Sequence, residues 1–274
     1  MPDVFTYTDY RKFLSDHYHA MKAVDGKISH RYFSQRIGYN SSGFFSDVLS
    51  GKKNLTGPVL LKLAKALKLK KGEEEYFINL VNLNQAGTLD ERNRFYEKLM
   101  GTSQVRVETL QPEKFEYFSK WHHAAIRELL SFYPFRGDFR KLARKLNPHI
   151  TQEQAKQSVK LLLDLGMLKI DAEGRYLPAA SMIGTGEGFM SLHVGNLQRA
   201  FMDLAREGLD RFAREERDFS TVTLPMAKED LSRARQAIAQ LRASLLAMSD
   251  KCRRPERVLQ FNSQLFPLTG EDDG

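Results

Sequence analysis

The residues best suited to chemistry in this sequence are cations. Lys27, Arg31, Arg36, Lys52, Lys53, Lys62, Lys65, Lys68, Lys70 and Lys71 fall between positions 27 and 71, where Asp47 is the only acid. Ten cations less one anion give that window +9, against +8 for the whole 274-residue chain. Charge focused in this way favours a polyanionic partner. The stretch from Asp218 to the end holds eight basic and eight acidic side chains and is neutral. Other groups point to weaker chemistry. The pairs His17/His19 and His122/His123 lack the i, i+4 spacing of helical metal ligands and have no cysteine or acid at ligand distance in sequence. His193 and Cys252 lack the third member and oxyanion motif that a nucleophile pair needs. Lys251, Arg253 and Arg254 around Cys252 would favour its thiolate, which leaves a redox-sensing thiol as the alternative to a plain lone cysteine. Gly184-Thr185-Gly186-Glu187-Gly188 lacks the glycine-lysine-serine/threonine ending of a phosphate loop and reads as a hinge. No catalytic residue, metal or cofactor is expected.

The elements that must position these residues are mostly helical. Tyr10, Phe13, Leu14, His17, Tyr18 and Met21 recur at helical spacing over 8–24, with Thr8 as a cap. Ser29 starts a second helix that Gly38 ends, and Asn40-Ser41-Ser42 starts a third that closes near Ser50-Gly51. Thr56-Gly57-Pro58 opens a fourth, and Glu73 to Asn84 makes a fifth. Residues 85–111 read as a connecting helix over 90–100 followed by a linker. A single helix from Pro112 to about Phe132 carries Phe115, Phe118 and Trp121; with Tyr117, Phe132, Tyr133 and Phe135 these aromatics serve a core or line an effector pocket. Phe139–Ala143 is a short helix and Thr151 caps a longer one closed by Gly166. Met167–Ile170 and Arg175–Pro178 flank a turn, as a β-hairpin does. That order of helices and hairpin is the order of a winged helix. Farther on come a helix over 192–217, a strand-like alternation at Phe219–Leu224, an amphipathic helix over 227–249 and a second strand-like run at Arg257–Leu265. Strand, crossover helix and strand suggest a small α/β module.

Composition sets the frame. Hydrophobic residues make up 42% and charged residues 28%, as in folded globular proteins. A single cysteine fits a reducing cytoplasm. No apolar run is long enough to span a membrane, and the N-terminus lacks a secretion signal.

Ser29 to Leu69 resembles the phage-repressor, or Cro/C1-type, helix-turn-helix. The likeness rests on Phe33 and Ile37 before Gly38, on Phe45 and Val48, on Gly51-Lys52-Lys53-Asn54-Leu55-Thr56, and on the leucine-rich run Leu60 to Leu67. Three features depart from that pattern: the gap from Gly38 to Gly51 is one residue longer than usual, Ser34 replaces the usual alanine, and Leu49 replaces a common acid. The resemblance implies a recognition helix that reads base edges with Ser41, Ser42, Ser46 and Asp47. It also implies phosphate contacts from Lys52 and Lys53, with His30 against the sugar-phosphate backbone and Arg31 and Asn54 as further DNA-binding residues. The whole chain resembles a large paralogous family first catalogued in Fibrobacter, through Phe5 to Leu14, Arg217 to Leu224 and Val258 to Thr269. That family implies transcription regulation, with a C-terminal domain of unknown function.

The expected fold is therefore mainly α with a smaller α+β part: a five-helix DNA-binding domain over 1–84, a connector over 85–111, a winged-helix-like domain over 112–180, and an α/β module over 181–274. Gln154, Lys156, Gln157 and Lys160 are a possible second DNA contact, the alternative being a structural role for that domain. The expected function is sequence-specific binding of double-stranded DNA by a cytoplasmic homodimer. The helix over 227–249 and the C-terminal strands are the candidate dimer surface. The competing reading is a protein-interaction adaptor with no direct DNA readout.

Overall fold

A computed structural model describes residues 1–41, 43–101, 112–179 and 190–270. These residues form twelve α-helices and one two-stranded antiparallel sheet. The chain divides into two compact units, Met1–Ser119 with Ile183–Asn196, and Lys120–Met182 with Leu197–Gly274.

In the first unit, α1 spans Tyr10–Val24, α2 His30–Arg36, α3 Gly43–Leu49, α4 Gly57–Ala66, α5 Lys71–Gln85 and α6 Leu89–Met100. The apolar face of α1 buries Tyr10, Phe13, Leu14, His17, Tyr18 and Met21, the residues its periodicity selects. Its cap is Asp9 rather than Thr8: the Asp9 carboxylate accepts the Arg11 and Lys12 amides, where a negative group also suits the helix dipole. The Thr8 carbonyl instead accepts from Asn84 Nδ2 at 3.0 Å. Ser29 caps α2 by accepting the Tyr32 amide. Gly38 and Gly51, which end α2 and α3, have φ of +94° and +80°, a region costly for residues with a Cβ. Gln85 ties three segments together, accepting from the Tyr10 hydroxyl and the Leu55 amide and donating to the Leu55 carbonyl.

The first unit extends past the expected boundary at Asn84. Tyr96 and Leu99 of α6 are fully buried in the core that α1 to α5 build, so α6 is a packed layer and not a connector. Leu192 joins the same core, and the amides of Asn93 and Asn196 pair reciprocally at 2.8 Å.

The expected single helix over 112–132 is two helices, α7 Pro112–Ser119 and α8 Trp121–Leu129, broken at Lys120, whose φ of −136° and ψ of 130° are extended. In the second unit α8 is followed by α9, Phe139–Lys145, and α10, Gln152–Asp164. Thr151 and Gln154 form a reciprocal capping box at the start of α10. Strands β1, Leu168–Ile170, and β2, Tyr176–Pro178, pair with Leu168 opposite Pro178 and Ile170 opposite Tyr176. Asp171 organises the turn between them, its carboxylate accepting the Glu173 and Arg175 amides and the Arg175 guanidinium.

Helix α11 spans Met190–Arg211 and α12 spans Leu231–Asp250. The expected C-terminal α/β module is not formed: among the described residues no strand lies beyond β2. Residues 217–227 and 255–267 run without turn or bend, and no backbone–backbone hydrogen bond joins either to another strand. The alternation at Phe219–Leu224 and Arg257–Leu265 falls in segments without turn or bend, but a strand also requires a hydrogen-bonded neighbour, and among the described residues neither segment has one.

Candidate nucleic-acid interface

Helix α3 buries Phe44, Phe45 and Val48. Phe45 stacks on Phe33 of α2 with centroids 4.7 Å apart, which sets the two helices against each other. Ser34 of α2 holds the start of α3. Its buried hydroxyl accepts the Phe45 amide at 3.2 Å, one of the donors that the first turn of a helix leaves without an intrahelical partner. Ser34→Ala should cost about 1–2 kcal/mol and should speed hydrogen exchange at the Phe45 amide; exchange at the wild-type rate would contradict this role.

With those three side chains inside, the outward positions of α3 and its exit are Gly43, Ser46, Asp47 and Ser50, at i, i+3, i+4 and i+7. All four are short. Ser46 and Ser50 are exposed, while Asp47 is half-buried and pairs with Lys53 at 3.0 Å. Lys53 also lies 5.6 Å above the Phe44 ring. All ten cations of the window from Lys27 to Lys71 are exposed. The Lys62 ammonium sits beside Gly38, 3.3 Å from where a Cβ would stand, and so places charge at the turn between α2 and α3.

The expected contact residues are not equivalent. Arg31, Lys52 and Lys53 are exposed. Ser41 is exposed too, but its Oγ accepts the Gly43 amide. Ser42 lies outside the described residues. Asn54 is held by Arg11, whose Nη2 donates to Asn54 Oδ1 at 2.9 Å. His30 packs against Tyr18 at 4.6 Å and Phe45 at 5.6 Å. Burial, then the nearby Lys22 and His19, hold its pKa below the usual 6.5.

Arg11 has no counterpart in the sequence reading. Its Nε donates to the Val48 carbonyl at 3.0 Å while Nη2 holds Asn54, so one guanidinium closes the C-terminal end of α3 and fixes the loop that carries Lys52 and Lys53. Its lack of an acidic neighbour at helical spacing was the available signal, but its partners are 37 and 43 residues away in sequence.

In the second unit the four candidates on α10 are mostly occupied. Gln154 Oε1 accepts the Thr151 amide, Gln157 donates to Glu153, and Lys160 pairs with Asp164 at 2.6 Å. Lys156 alone is exposed without such a partner. Nearby, His122 and His123 each place Nδ1 2.9 Å from the buried Ser158 Oγ, which itself donates to the Gln154 carbonyl.

The remaining candidates have packing surroundings. His17 is buried beside Phe13, its pKa lowered mainly by that burial, and His19 is exposed. His193 is buried among Tyr96, Phe115 and Phe118. Cys252 is exposed. Gly184 to Gly188 lie outside the described residues. Among the described residues no three His, Cys, Asp or Glu side chains are grouped to hold a metal, and no helix is long and apolar enough to cross a membrane.

No curated protein and no solved structure matches the chain. One family, described as Domain of unknown function (DUF4423), matches residues 103–268. That span takes in the His122–His123–Ser158 group, the hairpin, α12 and both unpaired segments, and it leaves α1 to α6 outside. It covers more than half of the chain, and through it the protein belongs to the DUF4423 family.

Proposed function

We propose that this protein is a sequence-specific, double-stranded DNA-binding regulator of transcription, a cytoplasmic binding protein rather than an enzyme, that acts as a homodimer. In this reading the first unit is a Cro/C1-type helix-turn-helix in a chain of the Fibrobacter-type regulator family, and α3 is its recognition helix. One observation carries the reading: a short helix presents Gly43, Ser46, Asp47 and Ser50 outward, all of them short, while ten cations, all exposed, surround it in sequence. Small side chains let a helix approach base edges, and cations without buried partners release counterions from phosphate.

The second unit has the element order of a winged helix. The engagement of Gln154, Gln157 and Lys160 within α10 favours a supporting role for it over direct DNA contact. The test is selection of genomic DNA fragments by the purified full-length chain at moderate salt. Enrichment of sites with two related half-sites is expected, because a twofold dimer reads a twofold operator. Retention without any enriched sequence, or no retention, would favour the adaptor reading instead.

A further inference from the structure

After Gly208 no described residue is buried. Thirteen of the twenty large apolar side chains exposed among the described residues lie between Phe219 and Leu268. Among them Val222 is 79% exposed, Leu259 83% and Phe266 67%. Helix α12 has twenty residues and buries none of them, although Leu231, Ala234, Ile238, Leu241 and Leu245 mark one apolar face. In proteins most of a helix's stability comes from packing its apolar face against a neighbour. On either side of α12 run segments 217–227 and 255–267, without turn or bend and, among the described residues, with no backbone–backbone hydrogen bond to a neighbouring strand. Their ends are nevertheless anchored within the second unit: Arg257 pairs with Glu216 at 2.9 Å, and Asn262 Nδ2 donates to the Phe201 carbonyl at 3.0 Å. With Asn262 turned toward α11, alternation turns Leu259, Phe261 and Leu265 the other way.

We infer that these two segments pair with the same segments of a second copy, making an intermolecular sheet on which α12 of each copy packs. The inference rests on the dimer assumed in the preceding reading and says how it is built. Three observations select a second copy as the occupant. One chain offers two unpaired extended segments, so two chains offer four strands that need nothing else to complete a sheet. The region is electrically neutral, with eight basic and eight acidic residues from Asp218 onward, so it neither repels its own copy nor attracts a polyanion. The apolar side chains that face the contact, covered, would bury several hundred Å² per copy, comparable to the roughly 800 Å² per partner of a standard interface. A twofold axis makes identical segments antiparallel, which suits the alternating pattern.

The test is the mass of the full-length chain in solution without DNA. Twice 31.5 kDa is expected in the micromolar range. Leu259→Glu with Phe261→Glu should weaken association at least about a hundredfold by placing charges in the apolar contact. Fluorescence of Trp121, the only tryptophan, reports whether the second unit stays folded in that variant. If it does not, amide exchange on the wild-type chain decides: residues 217–227 and 255–267 should gain protection as concentration rises. A monomer throughout the micromolar range, a folded double variant that dimerises as before, or segments protected only when DNA is added would each overturn the proposal. A dimer that retains no DNA would instead overturn the regulator reading and leave this one standing.

Discussion

Replacing Lys52 and Lys53 together with alanine should lower affinity for duplex DNA of every sequence by about tenfold to thirtyfold near 0.15 M salt. Each phosphate contact removed takes about 0.9 from the slope of log K against log salt, so the double variant should show a slope reduced by about two. The two lysines start from different states. Lys52 is exposed with no acid beside it, and its loss removes a cation and nothing more. Lys53 neutralises Asp47, which stands on the outward side of α3. Its loss therefore also leaves a carboxylate facing the duplex, and Lys53→Ala should cost more than Lys52→Ala. Ser46→Ala is the control with the opposite signature, shifting preference among sequences and leaving the salt slope alone, because a hydroxyl at a base edge releases no counterion. Salt titrations of a fluorescent duplex measure all four proteins. A double variant with wild-type affinity and slope would remove α3 and its following loop from the DNA contact.

The first unit was largely legible in the sequence, because its helices are amphipathic and two of them, α2 and α3, end where glycine takes a left-handed backbone. Phe13, Phe33, Phe45 and Leu63 could be placed inward from spacing alone, and the β-hairpin followed from its turn residues. What stayed hidden depended on distant partners. The carboxylate of Asp9 outcompeted Thr8 as a cap because the Thr8 carbonyl was drawn to Asn84, 76 residues on. The extended backbone at Lys120 splits a helix whose apolar spacing runs on without a gap. Alternation at 219–224 and 257–265 carried no information on whether a neighbouring strand is present, and among the described residues none is. For the candidate site, charge pattern located exposed cations well, since a lysine without an acid at helical spacing tends to face water. It could not show that the His30 ring is held against Tyr18 and Phe45, or that Gln154 and Asn54 are already engaged by other groups. A polar side chain looks the same in sequence whether it is free or committed.

Ser158→Ala should destabilise the second unit by about 2–5 kcal/mol, although it deletes a single oxygen. The hydroxyl has one proton, and the Gln154 carbonyl at 2.7 Å receives it. Both histidine contacts at 2.9 Å must then reach the oxygen as donors, which places a proton on Nδ1 of His122 and on Nδ1 of His123. Alanine removes the acceptor from two N–H groups in a region where all three residues are buried, and each buried donor that loses its acceptor costs about 1–3 kcal/mol. The Gln154 carbonyl loses less, since it lies on α10 and such groups have a second lone pair to use. Trp121 stands 5.8 Å from the His122 ring, so its fluorescence during urea unfolding follows this unit. A double-mutant cycle separates the hydrogen bonds from lost packing. In a His123→Phe background only one donor depends on the hydroxyl, and Ser158→Ala should then cost about half as much. A cost below about 1 kcal/mol, or the same cost in both backgrounds, would mean that the serine fills space between the histidines and does not set which nitrogen carries their protons.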